Sequence, residues 1–172
     1  MKTSNCSCNL FQLSSFILSI CGLLCVGGCT TPESSIEVKQ TPAKTLSGYK
    51  IVAVEVTNKD LDFDSNEVDQ LTGSILDGLS KSSRFDKVYA CSSSDEHDAD
   101  LKLSVTVQFV ITANMNKVQS LETSVALIDT GNGKTLAAAL VNSHSEWAFF
   151  GGHMTNAIAK LSDQIVDFAT KL

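Results

Sequence analysis

Acidic side chains and one imidazole crowd the segment 95–100, DEHDAD. Carboxylate oxygens and imidazole nitrogens are the ligands that divalent cations take in proteins. Neighbouring residues rarely point at one centre, however, and the spacing matches no calcium-binding loop. We therefore predict a solvated loop here, with no metal site and no cofactor. The residues concerned are Asp95, Glu96, His97, Asp98 and Asp100.

His144 and His153 flank the segment SEWAFFGG and raise the question of hydrolysis. A serine hydrolase presents its nucleophile at a sharp turn such as Gly-x-Ser-x-Gly, and the chain contains no such turn. The sequence therefore favours a protein that is not an enzyme. A small envelope hydrolase or ligand carrier that uses His144, His153 or the 95–100 loop stays open as the alternative.

The segment TGNGKT at 130–135 resembles part of a phosphate-binding loop. The full motif requires a glycine where this chain has Ile128, and a helix should follow it. A strand-like segment follows instead. We predict a hairpin turn, with Gly131 and Gly133 at positive φ.

Three aromatic residues, Trp147, Phe149 and Phe150, precede the pair Gly151-Gly152. Aromatic side chains beside a flexible joint can form a partner-binding patch. They can also close the core under the last helix, which is the interpretation that we favour. The sequence leaves both interpretations open.

The beginning of the chain is typical of an export signal. One basic residue, Lys2, precedes an uncharged apolar run at 10–26, and small residues follow. This run is shorter than the roughly 20 apolar residues that a membrane-spanning helix needs. A basic start, a short apolar run and small residues before a cleavage site describe a secretory signal peptide.

The residues that end this run, Val-Gly-Gly-Cys at 26–29, resemble the lipobox of bacterial lipoproteins. The resemblance implies cleavage between Gly28 and Cys29 and acylation of Cys29 on its sulfur and its new amino group. Thr30 follows, rather than an aspartate. By the enterobacterial sorting rule that this pattern resembles, the protein goes to the outer membrane.

Composition then limits which partners the mature protein can bind. Removal of residues 1–28 leaves Cys29 and Cys91 of the six cysteines, and the net charge becomes (13 − 1) − 19 = −7. Nucleic-acid binding depends on clustered Lys and Arg, so we predict no nucleic-acid partner. An acidic domain also gains no attraction to anionic lipid, so the acylated cysteine must provide the contact with the bilayer.

We predict that residues 29–48 form a flexible tether after the lipidated cysteine. They contain both prolines of the chain, Pro32 and Pro42, and little apolar content. Such a composition is typical of extended linkers. At roughly 3 Å per residue the tether would lift the domain about 50 Å from the bilayer.

Residues 49–172 are predicted to form one α+β domain. Alternation over 100–112 places Phe109 and Ile111 on the buried side of a strand, together with Leu101, Leu103, Val105 and Val107. The predicted order is β-α-β-β-β-β-α, a two-layer sandwich in which two helices cover one face of a mostly antiparallel sheet. Strands are predicted at 49–57, 85–91, 100–112, 121–129 and 134–142, with helices at about 65–82 and 154–172.

Several segments make the domain similar to those of the curli-secretion and penicillin-binding-protein activator lipoproteins. These segments are YKIVAVEVTN, SSRFDKVYA, ADLKLSVTVQF and ALIDTGNGKTLAAA. The resemblance implies an uncharacterised outer-membrane lipoprotein with a small α+β domain. It offers no catalytic residues to carry over.

We therefore expect a lipid-anchored, periplasm-facing protein of the outer membrane. Its partners would be the lipid bilayer, through the acylated Cys29, and either an envelope protein or further copies of itself. The expected work is non-catalytic: a binding or scaffold module for an envelope partner or assembly.

Overall fold

A mixed sheet of six strands with two helices on one face makes up the described part of this computed structural model. The structure describes residues 34–42, 46–91, 98–114, 117–144 and 153–172, all within the compact unit 31–172. The predicted α+β sandwich is confirmed. The elements are β1 Ser35–Gln40, β2 Ile51–Asn58, α1 Ser65–Lys81, β3 Lys87–Ala90, β4 Leu101–Asn114, β5 Lys117–Asp129, β6 Thr135–His144 and α2 Met154–Lys171.

The strands lie in the order β1-β6-β5-β4-β2-β3. The pairings β1–β6, β6–β5 and β5–β4 are antiparallel, whereas β2 pairs in parallel with both β3 and β4. The antiparallel strands β4, β5 and β6 follow one another closely in the chain, as short connections allow. A parallel pair needs a longer crossover, and α1 supplies it between β2 and β3.

Helix α1 begins where the sequence predicts. The Asp64 carboxylate accepts the backbone N–H groups of Asn66 at 2.8 Å and Glu67 at 3.0 Å. The Glu67 carboxylate accepts the N–H of Asp64 in return, which completes a capping box. Leu71, Ile75 and Leu79 then point into the core along one side of the helix.

Helix α2, predicted at 154–172, buries an apolar stripe in which Ile158, Leu161 and Ile165 are fully buried. It packs on β5 and β6 and against α1. Gly78 makes the close contact between the helices possible, since a Cβ there would lie 2.7 Å from Cγ2 of Val166. Within the described ranges, no helix is both long and apolar enough to cross a membrane.

The alternation predicted along β4 changes phase at Gln108. Val107 pairs with Thr123 and Phe109 pairs with Glu122, so the register shifts across Gln108. A bulge of this kind leaves one residue unpaired and reverses the faces beyond it. Val110 is therefore buried, whereas Phe109 is 59% and Ile111 is 49% exposed. The prediction that these last two residues belong to the core is wrong.

Part of the predicted tether belongs to the sheet. Residues 35–40 form β1, which pairs with β6 from Ser35 opposite Asn142 to Gln40 opposite Ala138. Leu46, also within 29–48, is 2% exposed in the core. This stretch of backbone finds hydrogen-bond partners on the edge of β6, which is the physical reason that it does not remain a free linker.

The turn between β5 and β6 is the hairpin that the sequence predicts. The N–H of Asp129 donates to the carbonyl of Lys134 at 2.9 Å, and the N–H of Gly133 donates to the carbonyl of Asp129 at 2.8 Å. Gly133 has φ +68°. The predicted positive φ at Gly131 is wrong, because Gly133 alone takes the left-handed conformation in this turn.

The two glycines of α1 should respond to alanine with opposite signs. Gly73→Ala should raise the free energy of unfolding by about 0.5–1 kcal/mol, because the new methyl group meets open space and alanine favours the helix. Gly78→Ala should lower it by about 1 kcal/mol, since overpacking against the stiff Val166 outweighs the same propensity gain. Urea unfolding of both variants checks this. Equal stabilisation by both would show that Val166 moves aside at no cost.

Candidate interaction surface

The sheet face opposite the helices, termed the open face, is built from small and polar side chains. Their strand neighbours point the other way into the core, where Leu103, Val105 and Leu127 are fully buried. No helix of the described ranges packs on this open face, which leaves it half-buried at most positions. Its central members are Glu55, Thr57, Lys102, Ser104, Thr106, Gln108, Glu122, Ser124, Ala126, Ala138, Leu140 and Asn142.

Two charged residues in the middle of the open face, Glu55 and Lys102, are paired with each other. Lys102 Nζ lies 3.2 Å from Glu55 Oε1, and the Ser104 hydroxyl donates to Glu55 Oε2 at 3.4 Å. The Lys102 side chain is 18% exposed, so this pair is more shielded from water than an ordinary surface ion pair. The middle of the face is consequently close to neutral.

Neutral hydrogen bonds continue this pairing along the strands. Gln108 Nε2 donates to the Ser124 hydroxyl at 2.8 Å, and the hydroxyls of Thr57 and Thr106 lie 3.0 Å apart. A shallow depression of about 260 Å³ lies beside them, lined mainly by serine, threonine and alanine. Small side chains let a second polypeptide approach the sheet closely, which suits the open face to protein contact.

One end of the sheet carries a two-stranded extension, termed the arm and comprising residues 108–114 and 117–121. Strand β2 pairs with β4 only as far as Asn58 opposite Val107. Beyond that point β4 continues to Asn114, with β5 as its one strand partner among the described residues. The arm carries the exposed Phe109 and Ile111.

Asp60 holds the base of the arm. Its Oδ2 accepts the N–H of Val110 at 2.9 Å and its Oδ1 accepts the N–H of Asp62 at 2.9 Å. These hydrogen bonds, above all the one from Val110, lower the pKa of the Asp60 carboxyl. The loop that Asp60 belongs to also presents Leu61, which is 99% exposed. Leu61, Phe109 and Ile111 together are termed the end patch.

The opposite end of the sheet holds a polar cavity of about 530 Å³. The Tyr49 hydroxyl donates to Asp129 Oδ2 at 2.8 Å, and this hydrogen bond lowers the pKa of Asp129 and raises that of Tyr49. Asp100 Oδ2 accepts the N–H groups of Lys50 and Ile51, each at 3.0 Å. The cavity's carboxylates thus hold the start of β2 and the β5–β6 turn in place.

The two histidines of the described residues lie apart from both depressions. His144 ends β6, where its backbone N–H donates to the Ser34 hydroxyl at 3.0 Å. Burial, together with the charge of Lys160, lowers the pKa of His144. His153 is exposed just before α2. Neither histidine lines the 260 Å³ depression or the 530 Å³ cavity.

Most site residues that the sequence singles out lie outside the described residues. These are Gly28 and Cys29, the aromatic residues Trp147, Phe149 and Phe150, and three members of the acidic loop, Asp95, Glu96 and His97. Their predicted roles stay predictions. Asp98 is exposed, and Cys91 is half-buried beyond β3, with its backbone N–H donating to the carbonyl of Val54 at 2.7 Å.

Sequence reasoning predicted a sheet with helices on one face, but it did not identify the open face as an interaction surface, and it missed the arm. Both are products of pairing between strands, and only one local signal points to them. The run Phe109-Val110-Ile111 places three apolar residues in succession, which breaks a strict alternation and is compatible with a bulge just before it.

Comparison with known proteins establishes the fold alone. No protein-family model and no curated protein matches the sequence. The chain is similar to that of the PelC dodecamer from Paraburkholderia phytofirmans, with 14% identity, a TM-score of 0.62 and coverage of 80% of this chain and 98% of that one. It is also similar to a DUF330 protein from Xanthomonas campestris, with 12% identity, a TM-score of 0.53 and coverage of 80% and 93%.

Acid should loosen the arm before it unfolds the sheet. A carboxyl whose pKa is lowered in the folded state contributes stability above its ordinary pKa of about 3.9, and loses that contribution as pH falls through the folded value. Between pH 6 and pH 2.5, the amide protection factor of Val110 should fall about tenfold, the lower end of what loss of a hydrogen bond to a charged group costs. NMR-detected hydrogen exchange, corrected for intrinsic rates, measures it.

Two comparisons make this test specific. The amide of Val105, in the middle of the sheet, should keep its protection over the same range. Asp60→Asn should show reduced Val110 protection at pH 6 and little further change on acidification. If Val110 keeps full protection at pH 2.5 in the wild type, the Asp60 carboxylate does not hold the arm.

Proposed function

We propose that this chain is a lipoprotein anchored by an acylated Cys29 in the outer membrane, facing the periplasm. Its domain would act as a non-catalytic scaffold module that assembles with further copies of itself through the open face. The observation that carries this proposal is the open face itself: a broad, nearly neutral sheet surface of small residues that no described helix covers.

The fold likeness supports assembly from identical copies. The similar chain from Paraburkholderia phytofirmans is a subunit of a dodecamer, and the likeness covers 98% of that chain. Most soluble oligomers are built from identical subunits in closed symmetric arrangements. A domain of this fold, with one sheet face left open, is suited to such an arrangement.

A different envelope protein is the second candidate partner. Strand β1 lies at the edge of the sheet, with β6 as its neighbour on one side. The outer edge of β1 can accept a strand from another protein by main-chain hydrogen bonding.

The non-catalytic role is supported by the pairing of Glu55 with Lys102 and of Tyr49 with Asp129, since both carboxylates serve structural contacts.

The anchor is tested by substitution of the two cysteines that the mature chain would keep. Cys29→Ala should abolish incorporation of labelled palmitate in cells, because the residue that receives the acyl chains is gone. Cys91→Ala removes a cysteine from the folded domain and should leave labelling unchanged. Labelled palmitate that persists on Cys29→Ala would contradict the proposed anchor.

Assembly through the open face is tested by one arginine on that face. Ala126 lies directly opposite Ala138 in neighbouring strands, so Ala126→Arg places a long charged side chain where a partner would approach. We expect the acylated protein in detergent to form a defined oligomer by light scattering, and Ala126→Arg to reduce it to monomer with a similar melting temperature. Ser80→Arg, on the exposed side of α1, is the matched control.

A photo-crosslinking residue at position 126 separates the two candidate partners. Cross-links between copies support self-assembly, and cross-links to one other envelope protein support the second candidate. A monomer that shows neither kind of cross-link would contradict the scaffold function. That result would favour the hydrolase or ligand-carrier alternative.

A further inference from the structure

The strand register places the end patch level with the point where the chain enters the domain. Ser35 in β1 pairs with Asn142, Asn142 pairs with Glu122, and Glu122 pairs with Phe109. These four residues form one row across the sheet, about 14 Å wide from β1 to β4. In the next row Ile111 pairs with Ser120, which pairs with His144.

The chain that follows the proposed anchor enters the sheet at this same row. The backbone N–H of His144 donates to the hydroxyl of Ser34, the first described residue. Cys29 precedes Ser34 by five residues, which span at most about 18 Å even when fully extended. The pairing of β1 with β6 thus uses up most of the predicted tether and leaves little chain to lift the domain.

Most of the exposed large apolar side chains among the described residues lie in the end patch. Among the described residues, four large hydrophobic side chains are exposed, and Leu61, Phe109 and Ile111 are three of them. Leu61 and Phe109 flank the hydrogen bond between Asp60 and Val110, which places the loop of Leu61 beside the base of the arm. Strand β4 continues beyond Ile111 to Asn114.

We propose that the end patch rests on the lipid surface to which Cys29 is anchored, so that the sheet stands with this end on the bilayer. The inference rests on the proposed acylation of Cys29. A short connection keeps the patch at a high effective concentration beside the headgroups. Apolar side chains that reach the headgroup region lose contact with water, which favours the contact.

The charge at this end specifies the kind of lipid. Asp60, Asp62 and Glu122 lie beside the end patch, with Lys59 as a basic neighbour and Lys160 at the carbonyl of His144 in the adjacent row. An anionic surface would repel these carboxylates. The partner that fits is therefore a zwitterionic headgroup layer, which the apolar side chains can enter without that repulsion.

Depth-dependent fluorescence quenching tests this orientation. The acylated protein carrying Cys91→Ala receives one new cysteine, Leu61→Cys or Ile111→Cys, labelled with an environment-sensitive dye in phosphatidylcholine vesicles. Asp86→Cys is the control, because Asp86 is exposed and precedes β3 at the far end of the sheet, about 40 Å from Ile111 along the strands. Flotation of the vesicles verifies the anchor in every sample.

We expect a lipid-borne quencher near the headgroups to quench the labels at 61 and 111 at least about twofold more than the label at 86, since interfacial side chains lie only about 5–10 Å deep. Anionic phosphatidylglycerol should reduce the difference.

Equal quenching at all three positions on floating vesicles overturns the inference and leaves the anchor intact. Labels at 61 and 111 that resist both lipid-borne and aqueous quenchers would show a second copy on the patch, which also overturns it. Protein that does not float overturns the anchor and the inference together.

Discussion

The bulge at Gln108 decides which side chains of the second half of β4 are exposed to solvent. Before the bulge, alternate residues of β4 point into the core under the helices. After it, the alternation is reversed, and Val110 takes the inward position while Phe109 and Ile111 turn outward. The Gln108 side chain bonds Ser124 across the open face at 2.8 Å, which satisfies a polar group at the point of disruption. The arm and its apolar side chains both depend on this local geometry.

The pairing of β1 with β6 connects the fold to the proposed anchor. A six-residue strand with only two apolar members, Ile36 and Val38, would not be stable alone. It forms because the edge of β6 offers backbone hydrogen-bond partners over most of its length. As a consequence, β1 begins at the end of the sheet that carries the arm. Only a short connection then separates β1 from Cys29 in the sequence.

Four aspartates of this acidic domain hold loops or helix ends in place. Asp60 accepts the N–H of Val110, Asp64 caps α1, Asp100 accepts the N–H groups of Lys50 and Ile51 at the start of β2, and Asp129 accepts the hydroxyl of Tyr49. Ionised carboxylates make stronger hydrogen bonds than neutral acceptors. Apart from the local cap at Asp64, these contacts join elements that are distant in sequence, and Asp100, a member of the acidic 95–100 cluster, is one of the residues that make them.

The sequence by itself determined the elements and their faces wherever the signal is local. The cap at Asp64, the stripe of α2, the alternation of Leu101 to Val107 and the hairpin before Lys134 were all predictable, because each depends on residues within a few positions of one another. The strand order, the bulge at Gln108 and the recruitment of residues 35–40 to β6 were decided only by the tertiary structure. Each of these depends on which edge or side chain another strand offers, and that information lies far away in the chain. The open face and the end patch arise from such long-range pairing, so the candidate interaction surfaces could not be read from the residues that form them.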